Sequence, residues 1–333
     1  MNSAQLLLET LRFHGGPPVE RLVHAWENVE GRALRRLVAF EGCAMWLYRR
    51  LRQLGVLDRV DPELSGWVSA KAREGTARNL LIDAEAESLA GTFRDLGTPA
   101  VFLKGVARRL TVDRYPLADA RITNDVDVLV PANQARATWR ALCRMGYERT
   151  THTGPPRPQH HHLPALWTWR RVAVEIHTTH ARVVAPAESW RRHYIAGFDV
   201  DRGGIRYRVP PATELLWSGT AHGLRHPEIA FLLVLFFDAA VIWASDAGVD
   251  WSEIVHRLDA KEIVDGTAAA AWLGAAAQVA GVEPPPALAG RMAHYDLERE
   301  LAARLAVLRR FQLSGGLRKA LAWWTSERAR ALA

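Results

Sequence analysis

Two aspartates one residue apart, Asp125 and Asp127, sit in the run Asp125-Val126-Asp127-Val128-Leu129-Val130. The alternation predicts a strand with Val126, Val128 and Val130 on one face and the two carboxylates on the other. Residues two apart on a strand are roughly 6–7 Å apart, and carboxylate oxygens held that way suit Mg²⁺ or Mn²⁺. The run Val172 to His177 has the same design, with Val172, Val174 and Ile176 on one face and Glu175 on the other. If the two strands are neighbours, Glu175 becomes a third carboxylate. Three acids in one place repel unless a cation sits among them. Divalent ions so held can activate an attacking oxygen and stabilise the leaving pyrophosphate of a nucleoside triphosphate.

The residues leading in carry the opposite charge. Lys104-Gly105 stands at a strand-to-helix turn, where glycine lets the backbone approach a phosphate and the helix start favours an anion. Arg108, Arg109, Arg114 and Arg121 follow, against the acids Asp113 and Asp119. Each arginine taken singly also reads as a solvated surface charge. His152, His160, His161, His162, His177 and His180 cluster further on. An extended His160-His161-His162 cannot serve one tetrahedral zinc, because alternate residues face opposite ways. His177 shares the face of Glu175 and is a candidate to hold that carboxylate or to meet the nucleotide. Trp167 and Trp169 are candidates to stack a base or simply to pack.

These residues need a frame. Helical spacing is predicted for Gln5–Phe13, Val19–Asn28, Ala33–Leu54 and from Pro62 to about Leu96, where Gly97 ends the helix. A short buried strand at Ala100–Leu103, a helix from Gly105 to about Val112, the Asp125–Val130 strand and a helix Asn133–Met145 follow. Tyr147 opens another strand, a Pro-rich loop runs through Gly154–Pro158, and Val172–His177 is a further strand. Phe198–Asp201 and Ile205–Val209 form a hairpin through Gly203-Gly204. From Pro211 the chain is helical again: Ala212–Leu224, Ile229–Trp243, Trp251–Leu258, Gly266–Val279 and one long stretch Ala287–Leu313. The layout is α+β, with a helical region 1–96, a core of small mixed sheet and helices at 97–210, and a helical region 211–333.

Set in order, these motifs resemble a known family. Leu103-Lys104-Gly105, Tyr115-Pro116 and Arg121-Ile122-Thr123-Asn124 leading into the Asp125–Val130 strand are similar to the signature of the uncharacterised bacterial nucleotidyltransferases, family 5. Gly146-Tyr147, His161-His162, Val174-Glu175-Ile176-His177, Pro211–Leu216, His222, Asp238 and Asp250-Trp251 extend the likeness. The resemblance implies a polymerase-β-like nucleotidyltransferase fold in which Asp125, Asp127 and Glu175 bind Mg²⁺ or Mn²⁺ and act in catalysis. It sets Lys104, Gly105, Arg108, Arg121 and His177 around the nucleoside triphosphate. Lys104-Gly105 departs from the Gly-Ser usual in the superfamily. Lys104 therefore either meets a phosphate or pairs with an acid.

Composition narrows the field less. The formal charge is +7 and arginine supplies most of it; a basic surface attracts nucleotide, RNA or acidic lipid, although an Arg-rich composition discounts the argument. Two distant cysteines, Cys43 and Cys143, argue against a disulfide framework and fit a cytoplasmic protein. No apolar run suggests a transmembrane segment. Arg318–Trp324 reads as a basic amphipathic helix end. Two other functions fit Asp-x-Asp: a glycosyltransferase using a sugar nucleotide, and a degenerate nucleotide-binding module. The first needs a nucleotide-binding α/β domain ahead of the motif, where this chain is helical. The acceptor stays open among tRNA, a peptide or protein, and a small molecule.

Overall fold

The structure is a computed structural model, and it describes residues 1–111, 113–114, 117–149, 162–180, 184–225, 232–245, 248–263, 266–291 and 296–310. The Pro-rich loop, Tyr115-Pro116, His152, His160, His161 and the basic segment Arg318–Trp324 lie outside them. In chain order come helices α1 (Ser3–Leu11), α2 (Val19–Glu27), α3 (Gly31–Glu41), α4 (Ala44–Gln53) and α5 (Pro62–Asp95). Strand β1 (Val101–Phe102), helix α6 (Lys104–Leu110), strand β2 (Asp125–Leu129) and helix α7 (Ala132–Arg144) follow. Then come β3 (Glu148–Arg149), β4 (Leu166–Trp167), β5 (Ala173–His177), α8 (Pro186–Trp190), β6 (Phe198–Arg202) and β7 (Ile205–Val209). The chain continues through α9 (Ala212–Arg225), α10 (Leu233–Trp243), α11 (Trp251–Asp259), α12 (Gly266–Ala280), α13 (Pro286–Ala289) and α14 (Leu297–Arg310).

The contacts gather these elements into two compact units. One is helical and draws on Met1–Gly75, Tyr115–Arg121 and Gly219–Ala333; the other holds Thr76–Arg114 and Ile122–Ser218, and with them every strand. In the sheet unit the strand order is β1-β2-β5-β4-β3, with β6-β7 as a separate two-stranded sheet. β2 and β5 run parallel and the other neighbours run antiparallel, so the five-stranded sheet is mixed. Val126, Val128, Val174 and Ile176 are all fully buried, and α7 packs against β5. Covering that apolar face leaves the opposite face for polar groups, as the alternation requires.

The architecture is α+β as read from the sequence, and four elements differ in detail. Ala33–Leu54 is two helices, because Gly42 ends α3 in the left-handed conformation at φ 69°. A Cβ there would come within 3.2 Å of Val234, a tight contact that adds to the preference for glycine. The long C-terminal helix is interrupted: α13 ends at Ala289, and α14 begins only at Leu297. β4 and α8 were not foreseen, since a two-residue strand after a proline and a five-residue helix carry almost no periodicity.

The helical unit has its own polar anchor. Arg304 Nη1 lies 2.8 Å and 3.0 Å from the two Glu41 carboxylate oxygens, and Leu233 N–H donates to Glu41 Oε2 at 2.9 Å. The Glu41 and Arg304 side chains are 0% and 1% exposed. Glu41 thus satisfies the first amide of α10 and meets α14 from the end of α3. Among the described residues no helix is long and apolar enough to cross a membrane.

Candidate active site

The polar face of β2 and β5 is set by their register. Asp127 pairs with Glu175 and Leu129 with His177, so Asp127, Glu175 and His177 project on one side. Two contacts from α5 hold the strand entries. Arg78 Nη2 donates to the Asn124 carbonyl at 2.5 Å and its Nη1 to the Arg171 carbonyl at 2.8 Å. Asn79 Oδ1 accepts from Thr123 N–H at 2.9 Å. One helix therefore fixes where β2 starts and where the turn into β5 sits.

Asp127 is the centre of the cluster. It is 1% exposed, and its Oδ1 receives Lys104 Nζ at 2.6 Å and His177 Nε2 at 2.7 Å. His177 Nε2 is also 3.5 Å from Glu175 Oε2, and His162 Nε2 is 3.8 Å from the same oxygen. Burial alone would raise the Asp127 pKa; Lys104 and the hydrogen bond from His177 override it and hold the carboxyl well below its usual range. His177 is pulled down by burial and pushed up further by its bonds to Asp127 and Glu175, so its net shift is upward. The site balances its acids with its own cations.

Lys104 reaches this position from an unusual backbone. It sits at φ 48°, so the left-handed residue of the β1–α6 turn is the lysine itself and not Gly105. Leu103 N–H donates to the Asp127 carbonyl at 3.0 Å, tying the turn to β2. Of the two roles open to Lys104, the structure shows the pairing with an acid.

The other expected residues are placed as follows. Asp125 is half-buried at the start of β2 and acts on Lys104 through its charge. Among the described residues, the group whose ligand atoms lie within 4.8 Å of one another is Asp127, Glu175 and His177; Asp125 stands outside it. Gly105 is buried in α6, and so is Arg108. Arg109 forms a paired contact with Asp83, and the Arg114 guanidinium lies 4.1 Å over the Phe198 ring. Arg121 belongs to the helical unit, where its Nε is 3.1 Å from Asp238 Oδ2. Trp169 is 83% exposed with Arg170 stacked 4.4 Å over its ring.

Two histidines complete the surroundings. The His162 and His180 rings lie 5.3 Å and 6.2 Å from that of His177. His180 is buried, and burial holds its pKa well below the ordinary value. The clustering of histidines signalled both, but spacing could not show which faced the acids. A cavity of about 570 Å³ beside the β6–β7 hairpin is lined by Asp199 and Asp201 but not by Asp125, Asp127 or Glu175.

Two carboxylate oxygens and an imidazole nitrogen converging within 4.8 Å are a fitting donor set for a divalent cation. A family model described as "Uncharacterised nucleotidyltransferase" matches residues 27–277, which include both site strands and α6. The chain belongs to this family. No curated protein matched it. Membership bears out the likeness seen in Leu103-Lys104-Gly105 and the Asp125–Val130 strand, and it agrees with the α+β nucleotidyltransferase fold. As a family member, the chain is a nucleotidyltransferase-type domain with a candidate metal cluster at Asp127, Glu175 and His177.

Proposed function

We propose that this protein transfers a nucleoside monophosphate from a nucleoside triphosphate to a hydroxyl or phosphate of an acceptor, with a divalent cation. The observation that carries the reading is the convergence of Asp127 and Glu175 on adjacent parallel strands, with Lys104 at the same point. A bound dication supplies Lewis-acid polarisation of the phosphate and lowers the pKa of the attacking hydroxyl. Asp127 and Glu175 would hold it, and Asp125, two residues before Asp127 on the same strand, would be the third carboxylate. Lys104 neutralises Asp127, and its flexible four-carbon stem would let the ammonium meet a triphosphate where a dication took its place on the acid. With Arg108 buried and Arg121 on Asp238, Lys104 carries most of the phosphate-facing charge in this reading.

The acceptor class stays with tRNA, a peptide or protein, or a small molecule, and the test is built to sort these by size. Cell extract is incubated with the protein and each α-labelled nucleoside triphosphate, and the labelled fraction is sized. Asp125→Asn, Asp127→Asn and Glu175→Gln are each expected to lower labelling by roughly 100-fold or more, with circular dichroism unchanged. Full activity in both aspartate variants overturns the reading.

A second reading, a nucleotide-binding module without turnover, is favoured by the seating of Lys104 on Asp127, which balances the acid without metal. Titration calorimetry separates the two: tight triphosphate binding with no labelled product in any fraction selects the module.

A further inference from the structure

We propose that His177 is itself a metal ligand, and that the site is thereby built for a transition dication such as Mn²⁺ in preference to Mg²⁺. The inference rests on the metal-dependent reading of the same cluster. Three observations carry it. The imidazole is fully buried, with Nε2 aimed between the two carboxylates, 2.7 Å from Asp127 and 3.5 Å from Glu175. The convergent group among the described residues contains this nitrogen and not the Asp125 carboxylate. The parallel register fixes the arrangement, since His177 lies one strand step beyond Glu175 on the same face.

The donor set then decides the ion. Mg²⁺ demands near-ideal octahedral oxygen coordination and gives up water reluctantly. Imidazole is a ligand of transition dications, whose affinity for nitrogen and oxygen donors rises from Mn²⁺ to Cu²⁺, and Mn²⁺ is the member of that series that shares the carboxylate preference of Mg²⁺. The ligand nitrogen sits on a strand, and the His162 and His180 rings lie 5.3 Å and 6.2 Å from its own ring. The competing account is that His177 only donates a hydrogen bond that orients Asp127. That account leaves the ion bound through oxygen alone.

The experiment is pulsed electron paramagnetic resonance on the full-length protein titrated with Mn²⁺ alone, alongside His177→Gln and His162→Gln. Circular dichroism monitors folding in parallel. The expected result is one bound Mn²⁺ with ¹⁴N modulation from a directly coordinated imidazole, retained in His162→Gln and lost in His177→Gln. Mg²⁺ is expected to displace Mn²⁺ from the unaltered protein only in roughly hundredfold excess, and from His177→Gln at roughly tenfold lower excess. Bound Mn²⁺ without ¹⁴N modulation overturns the proposal and leaves metal-dependent transfer standing. Modulation lost in His162→Gln but kept in His177→Gln overturns it as well. Absence of any Mn²⁺ binding overturns both this proposal and the reading it rests on. The unaltered protein tests for imidazole coordination, and a signal retained in His162→Gln excludes His162 as its source even where His177→Gln folds poorly.

Discussion

At the scale of residues, Asp127 is where the constraints meet. A carboxylate this buried is tolerable because Lys104 and His177 both reach one of its oxygens. Removing the lysine charge exposes that cost. Lys104→Gln is expected to destabilise the metal-free protein by roughly 2 kcal/mol in a urea titration, below the ~3–5 kcal/mol typical of breaking a fully buried pair. The discount follows because His177 stays on Asp127 and the lysine side chain is 20% exposed. Adding Mn²⁺ is expected to recover part of the loss. Cys43 gives a separate residue-level prediction. Burial pushes its thiol pKa well above the ordinary value, with Glu41 adding to the shift. The unfolded thiol ionises at lower pH than the folded one, so the stability held by the neutral thiol is complete below the unfolded pKa and falls as pH rises past it. Cys43→Ala is expected to flatten the alkaline decline in melting temperature between about pH 8.5 and 10. An unchanged slope would show that other groups cause the decline.

At the scale of elements, the strand pairing decides the site. The Asp125–Val130 and Val172–His177 strands were legible because their valines and isoleucines alternate with polar residues; parallel adjacency then brought Glu175 to Asp127. Periodicity could not show which cation would sit on the acid. That depends on Lys104 adopting φ 48° and on Arg78 gripping the carbonyls before β2 and β5. Neither contact has a signature along the chain, because each joins residues distant in sequence. The same applies to His162, which a single isolated bridge to His177 brings beside the acids. The β4–β5 turn holds a further strained residue. Arg171 sits at φ 55° between hydrogen bonds to Thr168. Its carbonyl, which receives Arg78, survives replacement by glycine. Arg171→Gly is expected to stabilise the protein by about 0.5–1 kcal/mol, since relief of the left-handed strain exceeds the added chain entropy. A lower melting temperature in this variant would contradict the assignment of strain to that turn.

At the scale of the whole molecule, α1 and α14 pack together in one helical unit, and the carboxylate site belongs to the other. Hydrophobic periodicity could place helices at both ends of the sequence but could not reveal that α3 and α14 share a buried ion pair. Glu41→Ala removes the carboxylate that the Arg304 guanidinium and the Leu233 amide share, and it is expected to cost about 3–5 kcal/mol in chemical unfolding. Replacing both partners by apolar residues, as in Glu41→Leu with Arg304→Met, is expected to recover most of that loss. The family match over residues 27–277 covers the sheet and, in the helical unit, helices from α3 to α11, while α1 and α14 lie outside it. The measurement that tests the central claim most directly compares triphosphates labelled at the α and at the γ phosphate, incubated with the protein, a divalent cation and cell extract. The account predicts acceptor labelling from the α position, none from the γ position, and loss of the α signal in Asp127→Asn. Labelling from the γ position, or α labelling that persists unchanged in Asp127→Asn, would contradict it.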